Sequence, residues 1–281
     1  MPGITDVPGV EVFGKGRGSF TLPVGFVGED GKVWKNVILR EVTGAEEDLM
    51  DDDTVPRYQR NTDVLTACIE TIGNVTDKAK IREIVADECK VGKGITSTDR
   101  IALMVFLRRT SLGDVYKFER RCPCPRQHLC ANRSLDLTSL KMKEIPEARV
   151  AKRRVEVTLP RSQKKAILRV MTAKHEADLH GLKITTPDLR SMAIMARVES
   201  IDGVGVKGAP GLLAVKALPL EDREYIVSVY NLMEADVDTQ VEVHCDHPLC
   251  SADFKFPLDL GQTFFSKGEA AGATEAELRW I

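Results

Sequence analysis

Aromatic residues make up only 5% of the 281 positions, and neither sign of charge is in surplus. The 40 Lys and Arg face 42 Asp and Glu, a formal net charge of −2, so no overall field recruits nucleic acid or an anionic membrane. No stretch approaches the roughly 18 apolar residues of a membrane span. The start Met1-Pro2-Gly3-Ile4-Thr5-Asp6 lacks a basic segment followed by an apolar one, and the expectation is a protein made in the cytosol. Five histidines leave few candidates for general acid–base chemistry. There is no Gly-x-Ser-x-Gly, and no serine or cysteine has a histidine and an acid at recognisable positions, so an enzyme is not expected. What is present is ordinary: 43% hydrophobic and 29% charged residues, which excludes disordered and low-complexity classes. The length admits one large unit or two smaller ones.

Self-similarity decides between these. Thr21-Leu22-Pro23 recurs as Thr158-Leu159-Pro160, and Ile38-Leu39-Arg40 as Ile167-Leu168-Arg169. Each second motif is followed at the same offsets by a threonine (Thr43, Thr172) and a glutamate (Glu47, Glu176). Asp99-Arg100 and Asp222-Arg223 each open an apolar-periodic stretch, and each arginine precedes a cysteine by 22 positions, Arg100 to Cys122 and Arg223 to Cys245. From those cysteines to the next Leu-Asp-Leu is 13 positions in both cases, Cys122 to Leu135 and Cys245 to Leu258. The pattern predicts an internal duplication.

The expected fold is α+β: two related lobes, each a β-hairpin, helices and a cysteine-bearing turn like half of a zinc ribbon. The expected boundaries are an extended arm over 1–18, lobes over 19–140 and 153–265, a charged exposed linker over 141–152, and a tail over 266–281. Phe20–Pro23 and Val33–Val42 read as a hairpin, with Gly28-Glu29-Asp30-Gly31 supplying turn chemistry. Thr43 reads as an N-cap, with Glu46 and Glu47 where the helix dipole favours acids. Residues 62–72 carry apolar side chains at helical spacing, as do Met192 to Ile201. Ser97 or Thr98 is expected to cap the next helix, and Val115–Arg121 and Val237–Val243 alternate as strands.

Seven cysteines are the informative oddity. Cys68 and Cys89 sit alone in apolar stretches and read as core thiols. The other five form two clusters, Cys122-Pro-Cys124-Pro-Arg-Gln-His-Leu-Cys130 and Cys245-Asp-His247-Pro-Leu-Cys250. Zinc takes four soft ligands in a tetrahedron, and two such turns supply them from distant points of a chain. Five thiols, with His128, His244 and His247, compete for four places. The expected set is Cys245 and Cys250 with two of Cys122, Cys124 and Cys130, holding a structural zinc that joins the repeats. Free thiols or a disulfide are the alternative.

Other near-motifs carry less. His175-Glu176-Ala-Asp-Leu-His180 spaces its histidines five apart, not the four a metalloprotease helix needs, and reads as a solvated helix face. Gly92-Lys93-Gly94-Ile-Thr96 lacks the rest of a phosphate loop. The basic stretches at Ala151–Arg154 and Arg161–Lys165 have few aromatics beside them for base stacking. The five glycines in 1–18 suit an arm that is disordered or laid along a neighbour, and the ending Trp280-Ile281 suits apolar groups buried by a partner or packed back on the protein.

Ile38–Glu47, Thr62-Asp-Val-Leu65, Thr96–Met104, Gly113-Asp114, the cysteine turns, Phe254-Lys-Phe256, Leu258-Asp-Leu260 and Phe264-Phe265 stand in an order that resembles the T4-type baseplate protein family of contractile-tailed bacteriophages. The resemblance covers about residues 20–265, and Cys122-x-Cys124 with the extra Cys130 departs from the usual knuckle. It implies a structural virion component of the tail baseplate, assembled in the host cytoplasm and present in multiple copies of a symmetric assembly. Its partners would be hub, tube or wedge subunits, with the tape-measure protein as a further candidate, and neither nucleic acid nor membrane. The alternatives are a tail-assembly chaperone that leaves before the virion is complete and a zinc-ribbon nucleic-acid-binding protein.

Overall fold

The structure is a computed structural model that describes residues 18–179 and 188–265. The expected arm over 1–18 (save Gly18), the tail over 266–281 and His180 lie outside the described residues. The architecture is mixed α+β, with several small antiparallel sheets and nine α-helices among the described residues. None of these helices is long and apolar enough to cross a membrane.

The first half opens with β1 (Ser19–Val27) and β2 (Val33–Leu39), joined through the Gly28–Gly31 turn. Helices α1 (Gly44–Asp51) and α2 (Arg57–Cys68) follow, and β3 (Ile69–Ile72) completes a sheet of order β1-β2-β3. Thr43 and Glu46 close a capping box at α1, and the Arg40 guanidinium beside Glu46 holds its carboxyl down to about 2. Helix α3 (Lys78–Ala86) leads to α4 (Ser97–Leu112). Thr96 caps α4 through a reciprocal bond with Asp99, so neither Ser97 nor Thr98 is the cap; Thr98 instead donates to the Ala235 carbonyl. The expected helix over 62–72 stops at Cys68, because Ile69 and Ile72 turn into the sheet and pack there fully buried. Helical and strand spacing coincide over so short an apolar run. Leu22, Leu39, Leu65, Ile81 and Leu103 join them in the core.

The second half repeats this layout. Strands β7 (Arg154–Thr158) and β8 (Lys165–Arg169) form a hairpin, α6 (Ala173–Leu179) and α7 (Leu189–Arg197) follow, and β9 (Val198–Ile201) with the short β10 (Val204–Gly205) gives the order β10-β9-β8-β7. Then come α8 (Gly208–Lys216) and α9 (Leu220–Met233). The register matches in detail. The pairs Val37–Ile72, Ile38–Thr71 and Leu39–Ile69 in the first sheet have the counterparts Ala166–Ile201, Ile167–Ser200 and Leu168–Val198, with the irregularity at the same step. Thr21 pairs with Asn36 as Thr158 pairs with Lys165. A separate core of Leu159, Leu168, Ile194, Val198, Val215 and Ile226 lies beneath the second sheet.

Each half ends in a second hairpin, β4 (Val115–Arg121) with β5 (Leu129–Asp136), and β12 (Gln240–His244) with β13 (Asp253–Pro257). These two hairpins face each other over a third core that includes Val241, Val243, Leu137, Leu258 and Phe264. Phe118 meets Phe256 edge-on at 5.4 Å between ring centres, and Arg120 lies over the Phe256 ring at 4.5 Å. Each cysteine turn is the tip of one of these hairpins.

The stretch between the halves is not the exposed linker its charges suggest. Within it β6 (Met142–Lys143) pairs with β11 (Asp236–Val237), and α5 (Glu147–Val150) follows. Ile145 and Val150 are buried against Val24 and Ala235. The charged side chains of this stretch face solvent while its few apolar ones fasten the halves together.

Candidate metal centre

Cys122 follows the last residue of β4 and Cys245 the last residue of β12, so two strands on facing hairpins deliver their thiols to one place. The turns are tight. The Cys122 amide donates to His128 carbonyl oxygen at 2.8 Å, and the Cys245 amide to that of Ala252 at 2.9 Å. Gln127 and Ser251 each take a φ of 47° to close them. Cys124 and Cys250 sit inside these loops, half-buried, and turn toward the same point.

The sulfurs of Cys122, Cys124, Cys245 and Cys250 all lie within 4.8 Å of one another. Cys122 and Cys250, from opposite hairpins, are 3.8 Å apart. A tetrahedron of thiolates about zinc, with Zn–S near 2.3 Å, has edges of about 3.8 Å. The spacing therefore fits one ion, and no disulfide joins any pair. Two ligands from each hairpin fill all four positions, which is the closed donor set of a structural site. Among the described residues this is the one group of three or more His, Cys, Asp or Glu side chains close enough to share an ion.

Of the five thiols expected from the sequence, Cys130 is the one not in this group. It stands on β5 opposite Arg120, fully buried in the core between the hairpins. The histidines are engaged elsewhere. His128 shares a 2.9 Å contact with the Asp246 carboxylate of the other hairpin, His244 bonds Asp253 at 2.8 Å, and His247 Nδ1 accepts the Leu249 amide. Cys68 is fully buried, and burial pushes its thiol up to about 12, as suits a core residue.

Within the group the thiols differ. The amide of His128 holds Cys124 down to about 7, whereas burial pushes Cys122 up to about 12. A bound divalent cation would outweigh both influences, because its charge deprotonates a coordinating thiol outright.

Spacing in sequence gave no sign of the polar tie beside the sulfurs. Asp246 receives His128 on one oxygen and Arg133 on the other, at 3.0 Å, and Arg133 also donates to the His244 carbonyl. These contacts cross from one hairpin to the other and close one side of the centre. Their residues are ordinary surface types, recognisable as a unit only once both hairpins are placed. No known protein family, curated protein or solved structure matches this chain.

Proposed function

We propose that the protein is a structural, non-enzymatic component of the baseplate of a contractile bacteriophage tail, an adaptor whose two lobes are locked by a structural zinc. The observation that carries the zinc is the four-sulfur group drawn in equal parts from two hairpins that belong to opposite halves of the chain. Cys122, Cys124, Cys245 and Cys250 would hold the ion. When bound, zinc supplies a rigid cross-link and no reaction, because the protein fills every ligand position. The free energy of binding then becomes free energy of holding the hairpins together.

The two halves are read as copies of one unit, each half of a zinc ribbon in its last hairpin. Shared strand register, the same sheet irregularity and the same buried aspartate contacts support this. The baseplate assignment rests on the ordered resemblance of residues 20–265 to that family. The near-balanced charge and the apolar side chains left on the surface suit a part whose partners are other tail proteins. Mass spectrometry of purified virions tests it. The protein is expected at a fixed copy number in the particle, and its absence from finished particles would favour a transient assembly factor. Elemental analysis of reductant-purified protein is expected to give one zinc per chain.

A further inference from the structure

The junction between the halves is asymmetric in an informative way. In the first half, α6 of the second half lies against α2 and α3 and covers the start of α4. The Ser97 amide donates to the Met171 carbonyl at 2.9 Å, the Ser97 hydroxyl bonds Glu176, and Arg100 Nη2 stands 3.5 Å from Glu176 Oε2. Under that cover Arg100 is 3% exposed.

The corresponding face of the second half has the same groundwork and, among the described residues, no cover. Arg223 donates to Ser191 Oγ at 3.0 Å and the Val215 carbonyl at 3.1 Å, as Arg100 donates to Thr62 Oγ1 at 2.8 Å and the Val85 carbonyl at 3.1 Å. Yet Arg223 is only part-buried. Beside it α8 and α9 leave Leu213 and Leu220 at 66% and 67% exposure. Leu220 occupies the position that Ser97 has in the first half, so the uncovered face is more apolar than the covered one.

The counterpart of the covering helix α6 is α1. By the constant offset that relates the two sheets, Glu47 stands where Glu176 does and Val42 where Met171 does. Glu47 is exposed and forms no ion pair with another described residue, and Leu49 on the same helix is 38% exposed.

We infer that the α7–α8–α9 face binds α1 of a second copy of this chain, repeating between molecules the contact that α6 makes within one. Glu47 of the second copy then meets Arg223, the Val42 carbonyl accepts the Leu220 amide, and Leu213 and Leu220 are buried. Such a contact uses different surfaces on its two sides, so it propagates head to tail and gives a ring or a filament. The inference rests on the matched geometry of the halves and on neither the zinc nor the baseplate assignment.

Sedimentation velocity and native mass spectrometry of the full chain, purified in reductant, test it. The wild-type chain is expected to self-associate with rising concentration. Glu47→Arg spoils the donating helix and Leu220→Asp the receiving face. Each is expected to weaken association by about thirtyfold or more. Both positions are exposed, and circular dichroism with zinc content verifies that the variants fold. Mixing the two variants gives the sharpest reading, because each retains one intact surface. The mixture should form one-to-one dimers and grow no further. A wild-type chain that stays monomeric to its solubility limit, association that neither variant alters, or a mixture that stays monomeric or grows past the dimer would overturn the inference.

Discussion

Asp99 Oδ1 accepts the amide of Val24 at 2.8 Å, across 75 residues of sequence, and both groups are buried. The same carboxylate receives the Gly25 amide and the Thr96 cap, so one side chain ties the start of α4 to the bulge in β1. Gly25 takes a φ of +85° there, and a Cβ would stand 2.3 Å from the Trp34 carbonyl oxygen. Asp222 does the corresponding work in the second half, accepting the Arg161 amide at 2.7 Å and the Ser162 amide at 3.1 Å. Burial pushes Asp99 up, and the amides around it pull against that. The amides of Val24, Gly25 and Thr96 converge on this one side chain, so the carboxylate is structural.

Asp99→Ala should destabilise the protein by about 3 kcal/mol, since it strands several buried amides at once. Asp222→Ala should cost less, on the order of 1–2 kcal/mol, because the Arg161 and Ser162 amides it holds are only part-buried. Asp99→Asn should recover less than half of the loss, because its NH2 group faces donors. Urea unfolding followed by circular dichroism measures all three; a loss below about 1 kcal/mol for both alanine variants would show that the paired carboxylates do not hold the helices to the hairpins.

Glu176 carries the junction between the halves. Glu176→Ala removes the carboxylate from Arg100, which has 3% exposure and keeps only neutral acceptors at Thr62, Val85 and Tyr58. A stability loss of roughly 2–4 kcal/mol is expected, with Glu176→Gln losing less because it can still accept from Ser97. Limited proteolysis should reveal earlier cleavage between Asp87 and Ser97 in the alanine variant. Unchanged cleavage would mean that the β6–β11 pairing and the Ile145–Val150 contact hold the junction without it.

The paired motifs of the sequence translate directly into paired strands because a strand register fixes every side chain on it. Ile38-Leu39 on β2 and Ile167-Leu168 on β8 accordingly hold the same register against β3 and β9. The ligand set could not be reduced to four by the same reasoning. The spacing from Cys122 to Leu135 equals that from Cys245 to Leu258, but an irregularity between Phe118 and Arg120 makes the first turn one residue shorter than the second. That shift places Cys130 in the ladder opposite Arg120, where its side chain enters the core. The segment around Ile145 and the half-buried His175 were hidden for a different reason. Each is a polar stretch whose burial depends on the other half of the molecule, and local composition does not record distant partners.

The four-sulfur group and Cys130 make opposite predictions for substitution. Serine at Cys122, Cys124, Cys245 or Cys250 should lower bound zinc to less than about half an equivalent, whereas Cys130→Ala should retain close to one equivalent while lowering thermal stability. Chelation of the wild-type protein should expose Val115–Asp136 and Gln240–Pro257 to protease before the two sheet cores, because those hairpins share a core and together carry the four sulfurs. Retention of full metal by any two of the four serine variants would exclude this ligand set.

His175 makes stability depend on pH in a direction that its surroundings fix. Its Nδ1 accepts the Thr172 amide at 3.2 Å, at the start of α6, so the neutral ring is the useful form. Burial, together with the nearby Arg169 charge, lowers its pKa from 6.5 to about 4. A group whose folded pKa is depressed stabilises the fold above its unfolded pKa and loses that contribution as pH falls toward the folded value. The contribution of His175 should thus be complete above pH 6.5 and vanish by about pH 4. With the ring only half-buried, its size should be on the order of 1–2 kcal/mol. His175→Gln keeps a capping acceptor without a titrating group. The stability difference between the wild-type and variant proteins should therefore shift against the wild type by that amount between about pH 7 and about pH 4.5. Urea titrations of both proteins at each pH measure it, and the carboxylates and thiols that also titrate cancel in the difference. A difference that stays flat across the range would mean that the ring is free to charge in the folded protein.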